Sequence, residues 1–144
     1  MPTLKQLEIS SLVITPFVLA LSIMVLIVYG PQALRAVRHG RLATMEPHDC
    51  LIIGIVIGFT GKLVDNAFWF VPWLCSFLGS PDLEDYFHLG IIVNLPFRQC
   101  ACIASAFFHL LAAVKVRRVS GRAALIAFLI VVCYIVSVIA LVYL

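Results

Sequence analysis

The sequence predicts an all-α integral membrane protein, a single four-helix domain over residues 1–144 with short loops. Three observations carry that prediction. Of the 144 residues, 63% are hydrophobic and 12% are charged, whereas an ordinary soluble domain is about a quarter charged. Mean hydropathy is +1.12, which leaves too little polar surface to cover a globule in water. The apolar residues also gather into four stretches, each reaching the roughly 20 residues a helix needs to cross a hydrocarbon core about 30 Å thick. Alternating segments of barrel-strand length, about ten residues, are not visible. Disorder, collagen and disulfide-rich scaffolds fail on the same composition.

The first span covers about residues 9–29. Its apolar run is too long for a signal peptide, its arginines follow rather than precede it, and no small-x-small cleavage site lies before Pro31, so it reads as a retained helix. Ser11, Thr15, Ser22 and Tyr29 share one face and suit either a helix contact or back-bonding to their own turns. The second span, about 51–73, carries Gly54, Gly58 and Gly61 on the same stripe as Asp65. Gly54-x-x-x-Gly58 is a small-xxx-small pattern that permits close helix approach. The third span, about 89–114, follows Ser80-Pro81-Asp82, which reads as an N-cap, an N1 proline and a favourable first-turn acid. The fourth, about 123–144, starts after a possible Ser120 cap and is almost wholly apolar, which suits the periphery.

Charge asymmetry orients these spans. Arg35, Arg38 and Arg41 follow the first, and Lys115, Arg117, Arg118 and Arg122 follow the third. The middle connection has no Lys or Arg and carries Asp82, Glu84 and Asp85. The positive-inside rule then places both termini outside, with Lys5 a lone dissenting charge. A bacterial inner membrane is the expected location, and Trp69, Phe70, Trp73, Phe77, Tyr86 and Phe87 form an aromatic belt at the outer turn. The net charge of +3 needs no nucleic acid, because these basic residues sit where anionic inner-leaflet lipids attract them.

Lys62, Asp65, Asn66, Asn94 and Arg98 form the candidate site. Counting inward from Trp73 and Leu89 at about 1.5 Å per residue, Asp65 lies about 12 Å deep, Arg98 about 14 Å and Lys62 about 16 Å. An ionisable side chain at such depth is normally paired or faces a wet interior. Asn94, Arg98, Cys102, Ser105 and His109 recur on one stripe of the third helix, opposite the glycine groove of the second. One expectation is structural glue: Asp65 bridges Lys62 and Arg98, while Asn66 and Asn94 satisfy what remains. The other is functional, because two cations face one carboxylate and the surplus calls for water, an anion or a partner's acid.

Other signals are weaker. Cys50, Cys75, Cys100, Cys102 and Cys133 form no metal or redox motif and read as small core residues. His39, His48, His88 and His109 do not pair in depth on different helices, so a haem is not expected. No nucleophile-base arrangement, phosphate loop or metal-ligand spacing appears, and neither enzymatic activity nor a cofactor is expected.

In size, short loops and polar residues within its spans, the layout is similar to the broad class of small multi-span proteins that includes bacteriophage holins. That resemblance implies oligomerisation in the inner membrane and permeabilisation for lysis. It is architectural, and no motif carries it. Many such proteins have a charged cytoplasmic tail, whereas this sequence ends in an apolar run. Three functions follow: a homo-oligomeric pore, a non-catalytic subunit of a larger membrane complex, or a small ion or solute transporter.

Overall fold

The computed structural model describes residues 4–40, 42–77 and 90–143. It contains helices α1 (Leu4–His39), α2 (Pro47–Phe77), α3 (Leu95–Lys115) and α4 (Gly121–Tyr143), with a π turn, Gly90–Asn94, leading into α3. Among the described residues there is no strand. Each helix holds a stretch long and apolar enough to cross a membrane: Val13–Arg38, Pro47–Pro72, Ile92–Lys115 and Gly121–Leu141. The chain is a small multi-pass integral membrane protein.

The helices outrun the apolar stretches that announce them. α1 continues past Tyr29 and through Pro31 to His39, so Arg35 and Arg38 lie on its last turns rather than in a connection. A proline removes one backbone bond from a helix, and membrane helices tolerate this when neighbouring groups re-satisfy the backbone. The carbonyl that Pro31 leaves without a helical donor is that of Ile27; Arg35 Nε donates to the carbonyl of Pro31 itself, at 3.3 Å. Basic residues at this end also suit the helix dipole. Arg41, His88 and the expected Ser80-Pro81-Asp82 cap lie outside the described residues, as do Tyr86 and Phe87 of the aromatic belt.

The extensive helix contacts follow chain order, α1 on α2, α2 on α3 and α3 on α4, which makes an open row rather than a closed bundle. Ala33, Met45, Cys50, Ile52, Ile53 and Ala112 form a small core near the basic ends of α1 and α3 and the start of α2. Along α1, Thr15 and Ser22 are buried, and Ser22 Oγ donates to the Val18 carbonyl at 2.7 Å. Ser22 of the hydroxyl face thus back-bonds to its own helix, and Tyr29 at the end of that face is exposed. α4 is peripheral, burying Ala124 and Ile135 and setting Phe128 edge-on against Phe107 of α3 at 5.8 Å. Phe17, Ile27, Ile130 and Leu141 stand exposed, as lipid-facing side chains do.

All five cysteines are free. Only Cys50 belongs to the core; Cys100, Cys102 and Cys133 are exposed, which corrects the expectation that all are core residues. The reason is the open row, which buries only a narrow stripe of α3 and α4. Among the described residues, no group of three or more His, Cys, Asp or Glu could hold a metal.

Two terminal devices close the basic end. Ser120 Oγ accepts from the Ala123 N–H at 3.2 Å, which caps α4 as its sequence predicts. α3 ends in a Schellman arrangement, with Arg118 N–H on the Ala113 carbonyl at 3.0 Å and Arg117 N–H on Val114 at 2.9 Å. Arg117 itself has a φ of 56°, a left-handed conformation that costs an L-residue about 1 kcal/mol and glycine almost nothing. Arg117→Gly is expected to raise stability by about 1 kcal/mol in a detergent unfolding titration. Equal or lower stability would rule out strain at this position.

Candidate functional site

The α2–α3 contact is set by glycine. Built onto the backbone, a Cβ at Gly54 would lie 2.7 Å from His109 Nδ1, at Gly58 2.9 Å from Ser105 Oγ, and at Gly61 2.6 Å from Ala101 Cβ. All three glycines of the predicted stripe thus face α3 with no room for a side chain. The close approach lets Ser105 Oγ donate across the interface to the Gly54 carbonyl at 2.8 Å. His109 Nδ1 lies 2.7 Å from the Ser105 carbonyl and binds its own helix.

One turn beyond Gly61, the same face presents Asp65, which is 7% exposed. Its two oxygens have separate partners: Asn94 Nδ2 donates to Oδ1 at 2.9 Å, and Arg98 Nη1 donates to Oδ2 at 3.3 Å. Asn94 and Arg98 are four residues apart, one above the other on the helix face. Asn94 closes the π turn and makes no side-chain cap to α3, so its amide is free for Asp65. Pro96, just inside α3, lacks the N–H of a regular turn, and π turns recur at such interruptions. Among the described residues, Asn94 Oδ1 is buried with no donor.

The other two candidates stand apart. Asn66 Nδ2 donates to the Lys62 carbonyl at 2.7 Å, a bond within α2 that leaves it outside the ion pair. The Lys62 side chain is exposed, and among the described residues no carboxylate or carbonyl accepts from its ammonium. The bridge expected between both cations and Asp65 is therefore a bridge to Arg98 alone. Lys62 sits three residues before Asp65, on the flank of the interface.

That flank is a groove of about 340 Å³ whose lining includes Lys62, Arg98, Gln99, Cys102, Tyr134 and Val138. Tyr134 and Val138 come from α4, whose almost wholly apolar sequence suggests a peripheral position and no part in the site. Tyr134 is a rare polar side chain in an apolar helix, and that isolation was the available signal. Gln99 is buried beside Arg98 and was also missed, because it lies one residue off the stripe read along α3.

Comparison with protein-family models, curated proteins and solved structures finds no match to this chain. Fold and site define it as a multi-pass membrane protein with a partly buried ion pair between α2 and α3 and, beside it, a second cation with no ion-pair partner among the described residues.

Proposed function

We propose that this chain permeabilises a membrane as a homo-oligomeric pore, holin-like in action, without catalysis or a cofactor. The observation that carries the reading is Lys62. Counting from the ends of the Pro47–Pro72 span, it lies about 22 Å from one and about 15 Å from the other. A lysine held against lipid there costs about 3 kcal/mol even on the lenient insertion scale. Water on that face removes the cost. An open row of four helices cannot enclose water alone, so several copies supply the rest of the wall. Exposed apolar faces on α1 and α4 leave surface for both lipid and neighbouring copies. In this reading the membrane is a bacterial inner membrane with both termini outside. Arg35, Arg38, Arg41, Lys115, Arg117, Arg118 and Arg122 then meet anionic lipids. A partner protein's carboxylate opposite Lys62 is the competing arrangement, and it makes the chain a subunit of a larger complex.

Expression in a bacterium separates them. Wild type is expected to collapse the membrane potential and cause lysis, with Lys62→Ala and Asp65→Ala both impaired. An intact potential at high expression overturns the pore. Accumulation only when another protein is co-expressed supports the subunit, and substrate-dependent flux without leakage supports a transporter. In the same cells, a Ser120→Cys probe should resist an impermeant maleimide until the membrane is opened. Labelling in cells whose potential is intact overturns the orientation.

A further inference from the structure

We propose that the groove beside Lys62 is an anion subsite, and that the pore it lines passes small inorganic anions in preference to cations. The inference rests on the pore reading and adds the class of ion. Within the cluster, two cations face one carboxylate, so each chain keeps one uncompensated positive charge. That charge lies on the groove side. Asp65 is turned into the α2–α3 interface, its side chain 11% exposed, and both its oxygens are engaged. Arg98 is 37% exposed at its side chain and lines the groove while holding Asp65 with one nitrogen. A guanidinium carries five N–H donors, so most remain for another acceptor.

The other polar lining groups fit the same ligand. The Lys62 ammonium offers three donors, the Gln99 amide two and the Tyr134 hydroxyl one. No carboxylate lines the groove among the described residues. A cation entering this space meets like charge, whereas an anion finds donor-bearing side chains of α2, α3 and α4 in its lining. Rings of Lys or Arg confer anion selectivity on pores, and repetition of this groove around an oligomer creates such a ring. Lys62 lies near the middle of its span, too deep for a phospholipid headgroup at either surface. The ligand is therefore a free ion such as chloride, and a groove of about 340 Å³ has room for one with part of its hydration shell.

Purified full-length protein in planar bilayers under a potassium chloride gradient tests this. The reversal potential is expected on the chloride side, with chloride several-fold more permeant than potassium. Lys62→Gln should reduce that ratio, and Lys62→Glu should invert it. A readout independent of conductance comes from Cys102, which lines the groove. With Cys75, Cys100 and Cys133 replaced by serine, and a variant also lacking Cys102 as the blank for buried Cys50, an anionic methanethiosulfonate should modify Cys102 several-fold faster than a cationic one. Each rate is taken relative to that reagent's rate with a free thiol, and Lys62→Gln should narrow the difference. Conductance that favours potassium, or is indifferent to Lys62, overturns the anion subsite and leaves the pore standing. No conductance, with Cys102 inert to both reagents, overturns both.

Discussion

Asp65→Ala is expected to destabilise the protein by about 3 kcal/mol, the largest effect of any single substitution at the site. The interhelical hydrogen bonds alone do not account for that figure. In membrane proteins such bonds average about 0.6 kcal/mol and reach about 1.7 kcal/mol. The larger part comes from what is left behind. Arg98 loses its only carboxylate among the described residues, and Asn94, already short of a donor for Oδ1, loses the acceptor for its amide. Removing one partner of a buried pair costs about 3–5 kcal/mol because the other charge stays buried and uncompensated. The partial exposure of Arg98 places the value at the lower end, since the guanidinium can turn into the groove. The double variant Asp65→Leu/Arg98→Met should recover most of the loss, because an apolar pair of similar volume needs no compensation. Unfolding titrations in mixed micelles measure both. A loss under about 1 kcal/mol for the single variant, or no recovery in the double, would show that the pair does not hold α2 to α3.

Gly61→Ala is the second large effect, about 1–3 kcal/mol of destabilisation from one added methyl group. The built Cβ meets Ala101 Cβ at 2.6 Å, and neither atom has a torsion with which to retreat. The helices must separate. Separation also stretches the Ser105 bond to the Gly54 carbonyl and the Asn94 and Arg98 bonds to Asp65, so loss of close approach spreads along the interface. Gly121→Ala, at the start of α4, is the internal control, because beyond its chain neighbours and its own helix backbone no atom lies within 4 Å of its built Cβ. It should be neutral or slightly stabilising, alanine being the better helix former. Gly61→Ala/Ala101→Gly moves the methyl group to the opposite helix and should restore most of the stability. If Gly61→Ala and Gly121→Ala behave alike, helix–helix distance is not what the glycine stripe controls.

The two effects arise from features legible to different degrees. The glycine stripe and the facing stripe Asn94, Arg98, Cys102, Ser105 and His109 were readable from helical period alone, since residues three and four apart share a face whatever surrounds them, although Cys102 stands exposed at the groove. Period cannot say where a long flexible side chain ends. Lys62 and Arg98 stand at similar depth on adjacent helices, and a sequence treats them as equivalent partners for Asp65. A helix rotation that puts Asp65 in the interface carries Lys62 to its flank. Asn66 was read as part of the cluster for the same reason, yet its amide finds a nearer acceptor one turn back on its own helix.

Sequence by itself determined the four spans, their apolar character and the charge asymmetry of their connections. These follow from transfer free energy and helical rise, which are properties of each segment alone. Tertiary structure decided what depends on relative placement. It extended α1 through Pro31, laid the helices in an open row, left three cysteines exposed, and brought Tyr134 and Gln99 into a groove with Lys62. It also divided the two intramembrane cations, committing Arg98 to the carboxylate and Lys62 to the groove. The physical reason is that a carboxylate held in a close helix contact has few directions from which a donor can reach it. Asn94 and Arg98, stacked on the facing helix, occupy them.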